Sequence, residues 1–453
     1  MPHVSDEPLD LIGAGLAGSL LSILLARRGF EVRLFEARPD LRAHTVDGGR
    51  SINLALSARG LHALAKAGIV DDILPLTIPM RGRLIHDLDG TTHFVPYGQR
   101  PSEVIRSVSR AELNRRLMSA AEATGRVHIR FETRCTGIDF PERRLHLRDE
   151  ARGHEETVTT TRVIGCDGAG SAVRTAMLRA GAVRFEPDFI AHGYKELTIP
   201  PAPDGGRRIE KHALHIWPRR DFMLIALPNL DGSFTCTLFL RREGRLSFAA
   251  LATEADVRSF FEAHFPDAVP LIPHLTEEFF ENPVGTLGTV RCEPWHFGDL
   301  AVILGDAAHA IVPFFGQGMN CAFEDCVALD ACIAGADGDW ENAFTRFEKE
   351  RKPNADAIAT LSLRNFIEMR DRVADPKFLL RKKLEFELER RHPGVFIPAY
   401  SMVSFHRIPY AEVLRRSDIQ ERILGELLAG ADSLDEVDWE KADALIRTGL
   451  SPL

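Results

Sequence analysis

No CxxC pair occurs in this sequence, and no histidine stands at metal-ligand spacing from a cysteine; the seven cysteines (135, 166, 236, 292, 321, 326 and 332) are odd in number and scattered. That argues against a disulfide framework and a structural zinc site, and it fits a chain kept reduced in the cytoplasm. A basic excess is missing as well. The 56 Lys and Arg against 65 Asp and Glu leave a formal charge of −9, the wrong sign for holding a phosphate backbone, so nucleic acid is not an expected partner. No run reaches the roughly eighteen uninterrupted apolar residues of a membrane span. The apolar stretch from Leu11 to Ala26 follows Asp6, Glu7 and Asp10, where a signal peptide would carry positive charge. Internal repeats and low-complexity segments are absent. What remains is a globular chain with room for two or three domains and enough apolar residues for a large core.

What is present begins near the N-terminus. Leu9 to Ile12 reads as a short buried strand that runs into Gly13-Ala14-Gly15-Leu16-Ala17-Gly18 and then into a helix over Ser19 to Arg28. Gly13 permits the tight turn, Gly15 lets a pyrophosphate approach the backbone, and Gly18 lets the helix pack closely on the strand. The helix start, with Leu16 and Ala17, faces the phosphates with partial positive charge. A second strand, Glu31 to Phe35, ends at Glu36, about twenty residues beyond the glycines, where an acid binds ribose hydroxyls; Ala37 and Arg38 follow it. A carboxylate there repels a 2′-phosphate, so the bound ADP half belongs to FAD or NAD rather than NADP.

Two further segments extend the pattern. Thr161 to Cys166 reads as a buried strand ending in Asp167-Gly168. Asp299 to Leu304 reads as a third, opening into Gly305-Asp306-Ala307-Ala308-His309 and then Pro313-Phe314-Phe315-Gly316-Gln317-Gly318-Met319-Asn320. Asp306 is placed to accept hydrogen bonds from ribityl hydroxyls, although Gly-Asp is also a common turn. Gly316 and Gly318 let the backbone pass a flat ring. The apolar spacing after Gly318 predicts a helix to about Ile333, whose positive end suits the negative charge of a reduced flavin. In this order the three segments resemble the glutathione-reductase-like FAD proteins of the aromatic hydroxylase group, and Asp167-Gly168-Ala169-Gly170-Ser171 with Arg174 matches that group's middle motif. The resemblance implies FAD, with Gly318, Met319 and Asn320 among its contacts. A second GxGxxG is missing, so a nicotinamide reductant has no Rossmann pocket of its own and visits transiently.

Between these segments, Gly49 to Ser57 precedes a predicted helix, Ala58 to Ala67. In the resembled group this stretch lines the flavin, which makes Leu54, Ala55 and Leu56 candidate contacts; the alternative is a strand leading into a helix with Ser57 as N-cap. Arg110 sits in a capping box formed by Ser109 and Glu112, and is either a cofactor ligand or an exposed helical arginine. From Glu186 to Val284 the pattern alternates, as in Leu214 to Trp217, Phe222 to Leu227 and Phe234 to Leu240, which predicts an antiparallel sheet. The last eighty or so residues read as helices, including Lys377 to Arg391 stopped by Pro393. The expected fold is α/β: a glutathione-reductase-like Rossmann domain for FAD (1–75, 101–185 and 286–365), an interleaved antiparallel-sheet substrate domain (76–100 and 186–285), and a C-terminal helical region (366–453).

Met80-Arg81-Gly82-Arg83, Tyr97, Pro313 to Asn320, Asn365 to Asp371 and Tyr400-Ser401-Met402-Val403 narrow the likeness. From Leu11 to about Ile408 the chain is similar to the kynurenine 3-monooxygenase family of flavoprotein aromatic hydroxylases. That likeness implies hydroxylation of a small aromatic amino acid, L-kynurenine, through a C4a-hydroperoxyflavin, with NAD(P)H, NADPH for preference, as transient reductant and O2 as co-substrate; the sequence itself does not decide between NADPH and NADH. It assigns no residue as catalytic acid or base. Arg83 would pair with the substrate's carboxylate, helped by Tyr97, Asn365 and Tyr400, with Phe315 against the ring; Arg81 is a near neighbour of Arg83 that could be confused with it. Eukaryotic members end in membrane-spanning segments and this chain ends in Glu436 to Leu453 without one, so a soluble form without a membrane partner is expected. Oligomeric state stays open, a homodimer being one option. The competing readings are a flavin hydroxylase of another phenol or aniline and, more remotely, a flavin-fold binding protein without redox chemistry.

Overall fold

Leu9–Ile12 is buried at every position, which suits a strand covered on both faces, as parallel sheets require. The computed structural model describes residues 7–43, 53–372 and 376–453. Gly49 to Ile52, the first part of the stretch expected to line the flavin, lie outside them. The chain divides into two compact units, Met1–Thr77 with Val108–Ile190 and Gly288–Ala359, and Ile78–Ser107 with Ala191–Leu287 and Thr360–Leu453.

The first unit is built on a six-stranded sheet in the order His296–Phe297, Ala301–Ile303, Val163–Gly165, Leu9–Ile12, Val32–Phe35 and Val127–Arg130. All pairings are parallel except that of the short edge strand His296–Phe297. The one charge inside the first strand, Asp10, is met by Arg33 on its neighbour at 2.6 and 2.8 Å. Register aligns the strand ends: Ile12 stands beside Phe35 and Gly165, and Gly165 beside Ile303. Three turns, drawn from residues some three hundred apart, therefore start side by side. The helices Leu16–Arg27 and Gly318–Ala334 cover the sheet and share its core through Leu20, Leu21, Leu24, Phe323 and Leu329.

The second unit carries the strands Phe234–Arg241, Met223–Pro228, Ala213–Pro218, Gly82–His86 and Thr92–Pro96, which follow one another in that order in a seven-stranded sheet. Pairings among the strands of the alternating region are antiparallel, as expected, and it is the join of Ala213–Pro218 to Gly82–His86 that runs parallel. Those two strands come from distant parts of the chain, so no hairpin constrains their direction. Two helices within the region of alternating pattern also went unforeseen. Glu254–His264 starts at a complete capping box, Thr253 with Asp256, and buries Val257, Phe260 and Phe261 at helical spacing; Leu275–Glu281 follows it. The C-terminal helices Pro376–Arg391, Tyr410–Leu428 and Trp439–Gly449 close around Leu384, Leu388, Phe396, Leu424 and Ile446.

Under this sheet lies a polar chain. His86 bridges Asp267 and His215 at 2.9 Å each, Trp217 donates to the same Asp267 oxygen at 2.8 Å, and His215 Nε2 donates to the Glu210 carbonyl at 2.7 Å. Burial pushes His215 down to about 4, despite the bond to Glu210. The folded protein thus holds a neutral ring, which an unfolded chain would protonate below about pH 6.5. Stability from this group is complete above that pH and is lost as pH falls toward about 4, a contribution on the order of 3 kcal/mol. Melting temperature is expected to fall across this window, and His215→Asn should flatten the slope by up to one proton's worth; an unchanged slope would remove His215 from the account.

Candidate functional site

At the carboxyl edge of the first unit's sheet, each strand end delivers one of the segments singled out in the sequence. Gly13 N–H donates to the Phe35 carbonyl at 2.8 Å, Cys166 N–H to that of Ile12 at 2.8 Å, and Leu304 N–H to that of Gly165 at 3.1 Å. Gly13 turns with φ +98°, and a Cβ there would lie 2.7 Å from the Cys166 carbonyl oxygen. One at Gly18 would run into the Gly13 carbonyl. At Gly15, the N-cap of the Leu16–Arg27 helix, it would meet nothing within 4 Å. Two of the three glycines are therefore consumed by packing, while the middle one faces open space. That is the cradle a pyrophosphate needs, beside a helix start whose N-cap contributes no side-chain bond.

Around this cradle the candidates are placed unequally. Glu36 is buried; its carboxylate accepts from Ala14 N–H at 2.9 Å, and from the Arg38 amide and Nε at 2.9 and 2.8 Å. Burial works against its charge, and the Arg38 and Ala14 bonds outweigh it and hold the carboxyl below its usual range. Ala37 beside it is half-buried. Asp167 Oδ2 caps the helix Ala172–Arg179 through Ala172 and Val173 N–H at 2.7 and 3.3 Å, and its Oδ1 is buried without a hydrogen bond among the described residues. Burial raises that carboxyl. Arg174 ties the second segment to the third, donating to the Ala169 carbonyl and, at 2.6 Å, to that of Ala307. Asp306 is the one exposed residue between Ala301 and Ala310, just after Gly305 with its φ of +58°. Met319 is half-buried at the start of its helix, and Gly316, Gly318 and Phe315 are half-buried beside it.

Other candidates are committed to the fold. Asn320 is fully buried: its Nδ2 donates to the carbonyls of Ala55 and Gly316 at 2.8 and 2.9 Å, and its Oδ1 accepts from Ser57 N–H at 3.0 Å. Its side chain thus staples the Asn53–Leu56 strand to the Gly318–Ala334 helix. Leu56 lies wholly in the core, leaving the half-buried Leu54 and Ala55 as the accessible members of that strand. Ser57 holds the N-cap position with no side-chain cap bond. The Ser109 hydroxyl accepts from Glu112 N–H at 3.4 Å, one half of the expected box. Arg110 is exposed at the first position of its helix, one turn before Asn114, whose Nδ2 donates to the Ala14 carbonyl at 3.1 Å. Asn114 was not singled out in the sequence, although helical spacing from Arg110 could have pointed to it.

A buried ionic network beneath the third segment was also missed. Asp325 accepts from Gly305 N–H at 3.1 Å, His309 Nε2 at 2.5 Å and Arg351 Nε at 2.7 Å. Burial would raise this carboxyl, but His309 and Arg351 hold it at about 2. His309, Cys321 and Asp325 are close enough to surround an ion. Arg351 already fills the cationic role there, since it also donates to the Cys321 carbonyl at 3.3 Å and contacts its sulfur at 3.6 Å. All seven cysteines are free and buried, and burial pushes every thiol up, Cys135 and Cys292 to about 12.

The second unit contains a different constellation. Arg81 is exposed and Arg83 buried, which separates the two neighbours. Arg83 pairs in register with Val95 and Leu214, and Tyr97 N–H donates to the Arg81 carbonyl at 3.0 Å. The Tyr97 and Tyr400 rings stack with centroids 4.9 Å apart and 7° between planes. The Arg83 guanidinium lies 5.0 Å from the Tyr400 centroid and 5.8 Å from that of Tyr97. Arg83 Nη1 stands 3.5 Å from Glu368 Oε1, while Arg83 Nε and the Tyr97 hydroxyl are buried without a hydrogen bond among the described residues. Asn365 is buried one turn before Glu368, where the long helix Trp340–Ile367 passes into a π turn, Glu368–Arg372. A buried guanidinium with an unused edge suits a carboxylate, whose two oxygens match its fork.

Residues 8–362 match the family described as FAD binding domain. The chain is 51% identical to the kynurenine 3-monooxygenase of Myxococcus xanthus (strain DK1622) over 100% of its own length and 97% of that protein's. It is 49% identical to the one of Stenotrophomonas maltophilia (strain K279a), over 100% and 98%. Among solved structures, 2-methyl-3-hydroxypyridine-5-carboxylic acid oxygenase is similar in fold, with TM-score 0.65 at 22% identity, covering 83% of this chain and 96% of that one. PqsL of P. aeruginosa in complex with 2-aminobenzoylacetate gives TM-score 0.63 at 20% identity, over 80% and 99%.

Two contrasts test the cradle. Gly15→Ala is expected to fold with an unchanged melting temperature when flavin-free yet to retain less FAD, read from visible absorbance after gel filtration. Gly18→Ala should lose about 1–3 kcal/mol of stability, because a methyl group must displace backbone. Asp306→Ala should weaken FAD retention without lowering the melting temperature of the apoprotein; a fully yellow variant of normal affinity would contradict its role.

Proposed function

The chain belongs to the FAD-binding aromatic monooxygenase family of the kynurenine 3-monooxygenases, and from that premise we propose that it hydroxylates L-kynurenine at C3, with NADPH as reductant and O2 as co-substrate. When bound, FAD supplies the oxygen chemistry: reduced by NADPH, it activates O2 and delivers one oxygen atom to an electron-rich ring. In this reading the first unit holds the cofactor. Gly13 to Gly18 would carry the pyrophosphate, Asp306 and Arg110 would hold the ribityl chain and phosphates, Asp167 would support the same edge, and the start of the Gly318–Ala334 helix, at Met319, would meet the flavin. Ribose hydroxyls would take the place of the exposed Arg38 guanidinium on Glu36.

The second unit binds the amino-acid end of the substrate. The observation that carries this reading is Arg83: a buried guanidinium with an unpaired Nε, two stacked tyrosine rings within reach, and a buried asparagine one turn from its ion-pair partner. Such a site matches a carboxylate, and the tyrosine hydroxyls and Asn365 amide would satisfy the lone pairs left over. The substrate's ring amine activates the adjacent carbon, so no protein acid or base is needed at the ring. Seven buried free thiols support a cytoplasmic location. No helix among the described residues is long and apolar enough to cross a membrane.

L-kynurenine is expected to stimulate NADPH oxidation and to yield 3-hydroxykynurenine. NADPH consumption with only hydrogen peroxide formed would point instead to another phenol or aniline. Arg83→Ala should raise the kynurenine KM by about two orders of magnitude, the cost of leaving a charge partner unmet, with FAD content unchanged; an unaltered KM would take Arg83 out of the site.

A further inference from the structure

Ala14 stands between Gly13 and Gly15 in the turn of the first unit, and both of its peptide groups are pinned. Its N–H donates to Glu36 Oε2 at 2.9 Å. The residue is wholly buried, and its carbonyl accepts from Ser19 Oγ and from Asn114 Nδ2, each at 3.1 Å. A trans peptide is planar, so a carbonyl aimed inward turns the N–H that follows it outward. The two donors on the Ala14 carbonyl therefore aim Gly15 N–H away from themselves, at the residue where an added Cβ would meet nothing within 4 Å. Gly15 has extended backbone and no side chain to hinder rotation of the peptide before it. Without those donors the plane is free to turn over, which sets the Ala14 oxygen outward and the N–H inward. An oxygen in that place repels the anion that the N–H attracts.

Asn114 is 5% exposed on the helix Arg110–Glu122, alongside the buried Leu113, Leu117 and Met118. Its Nδ2 is spent on Ala14, and its Oδ1 is buried without a hydrogen bond among the described residues. An unmet buried acceptor costs stability, and an apolar side chain would fill the position without that cost. The amide is accounted for by its donor alone. That donor reaches over a separation of 100 residues to the one carbonyl that sets the direction of Gly15 N–H.

We propose that Asn114 is a positioning residue for the cofactor: with Ser19 it locks the Ala14–Gly15 peptide so that Gly15 N–H faces the pyrophosphate of FAD before FAD arrives. Asn114 does not itself touch the cofactor. What it supplies is preorganisation, since an unlocked turn divides between two peptide orientations and the affinity falls with the fraction that stays competent. The inference rests on the reading of Gly13 to Gly18 as the pyrophosphate cradle and adds to it a residue from a different helix, outside the glycine motif.

The test uses the full chain loaded with FAD, whose dissociation constant is read on dilution from the fluorescence of released flavin, at a temperature where every variant is folded. Asn114→Ala should weaken FAD roughly three- to tenfold, the range of one hydrogen bond, and Ser19→Ala by a similar factor. Removing both donors should weaken it by more than the product of the single effects, because the donor left in each single variant still favours the inward carbonyl. A merely structural role would not move the phosphorus NMR spectrum of bound FAD; in Asn114→Ala a pyrophosphate resonance should shift toward its position in free FAD. Asn114→Val serves as the second variant if alanine does not fold. Normal FAD affinity and unshifted phosphorus resonances in Asn114→Ala and Ser19→Ala, with FAD weakened in Gly15→Ala, overturn this inference and leave the cradle in place. Affinity unaltered in all three variants overturns the cradle as well.

Discussion

The lateral register of four buried strands is the constraint on which the first unit depends. Ile12, Phe35, Gly165 and Ile303 end level with one another, so the turns beyond them are brought to one edge although they lie far apart along the chain. Two glycines maintain this. The Gly13 turn is pressed against Cys166, and Gly18 allows the first helix to approach the Gly13 carbonyl more closely than any side chain would permit. Because side chains alternate along a strand, a slip of one residue would send each turn's polar group to the wrong face. Dense apolar packing around Leu11, Leu34 and Ile164 makes such slips costly, which is how an ordinary core comes to specify the position of Glu36 and Asp306.

The second unit meets a different problem. A buried guanidinium is expensive unless its charge and its donors are met, and Arg83 is met only in part: one carboxylate at one end, two aromatic faces within reach, and an edge left open. The sheet holds it there through register with Val95 and Leu214, and the π turn at Glu368 brings the acid round to it. Incomplete satisfaction of this kind costs stability, and on the reading proposed above a substrate carboxylate would complete it.

Local pattern carried much of this. Glycine spacing, strand-terminal acids and the helix after Gly318 were legible because each depends on neighbours a few residues away. Arg83 entered only through the family resemblance; nothing local in Met80 to Arg83 separates it from Arg81, and burial does. What stayed hidden was long-range. Asn320 reads as a cofactor contact, yet its amide is spent on Ala55, Ser57 and Gly316, partners that no spacing rule connects to it. The network of Asp325, His309 and Arg351 joins residues 16 and 26 positions apart in the sequence, and the parallel pairing of Gly82–His86 with Ala213–Pro218 joins strands more than a hundred apart. The helix Glu254–His264 was legible in principle, since Thr253 and Asp256 form the box that starts it, but the alternating strands around it dominated the pattern.

The seven thiols bear on durability. An oxygenase whose reduced cofactor meets O2 generates its own oxidant whenever transfer fails, and the sulfur species such oxidants attack is the thiolate. Every cysteine here is buried and held protonated well above neutral pH, so misfired turnovers find almost no ionised sulfur within the fold that makes them. Self-inflicted damage should therefore fall first on exposed groups other than cysteine, and the working life of the catalyst should not hinge on thiol-reducing conditions.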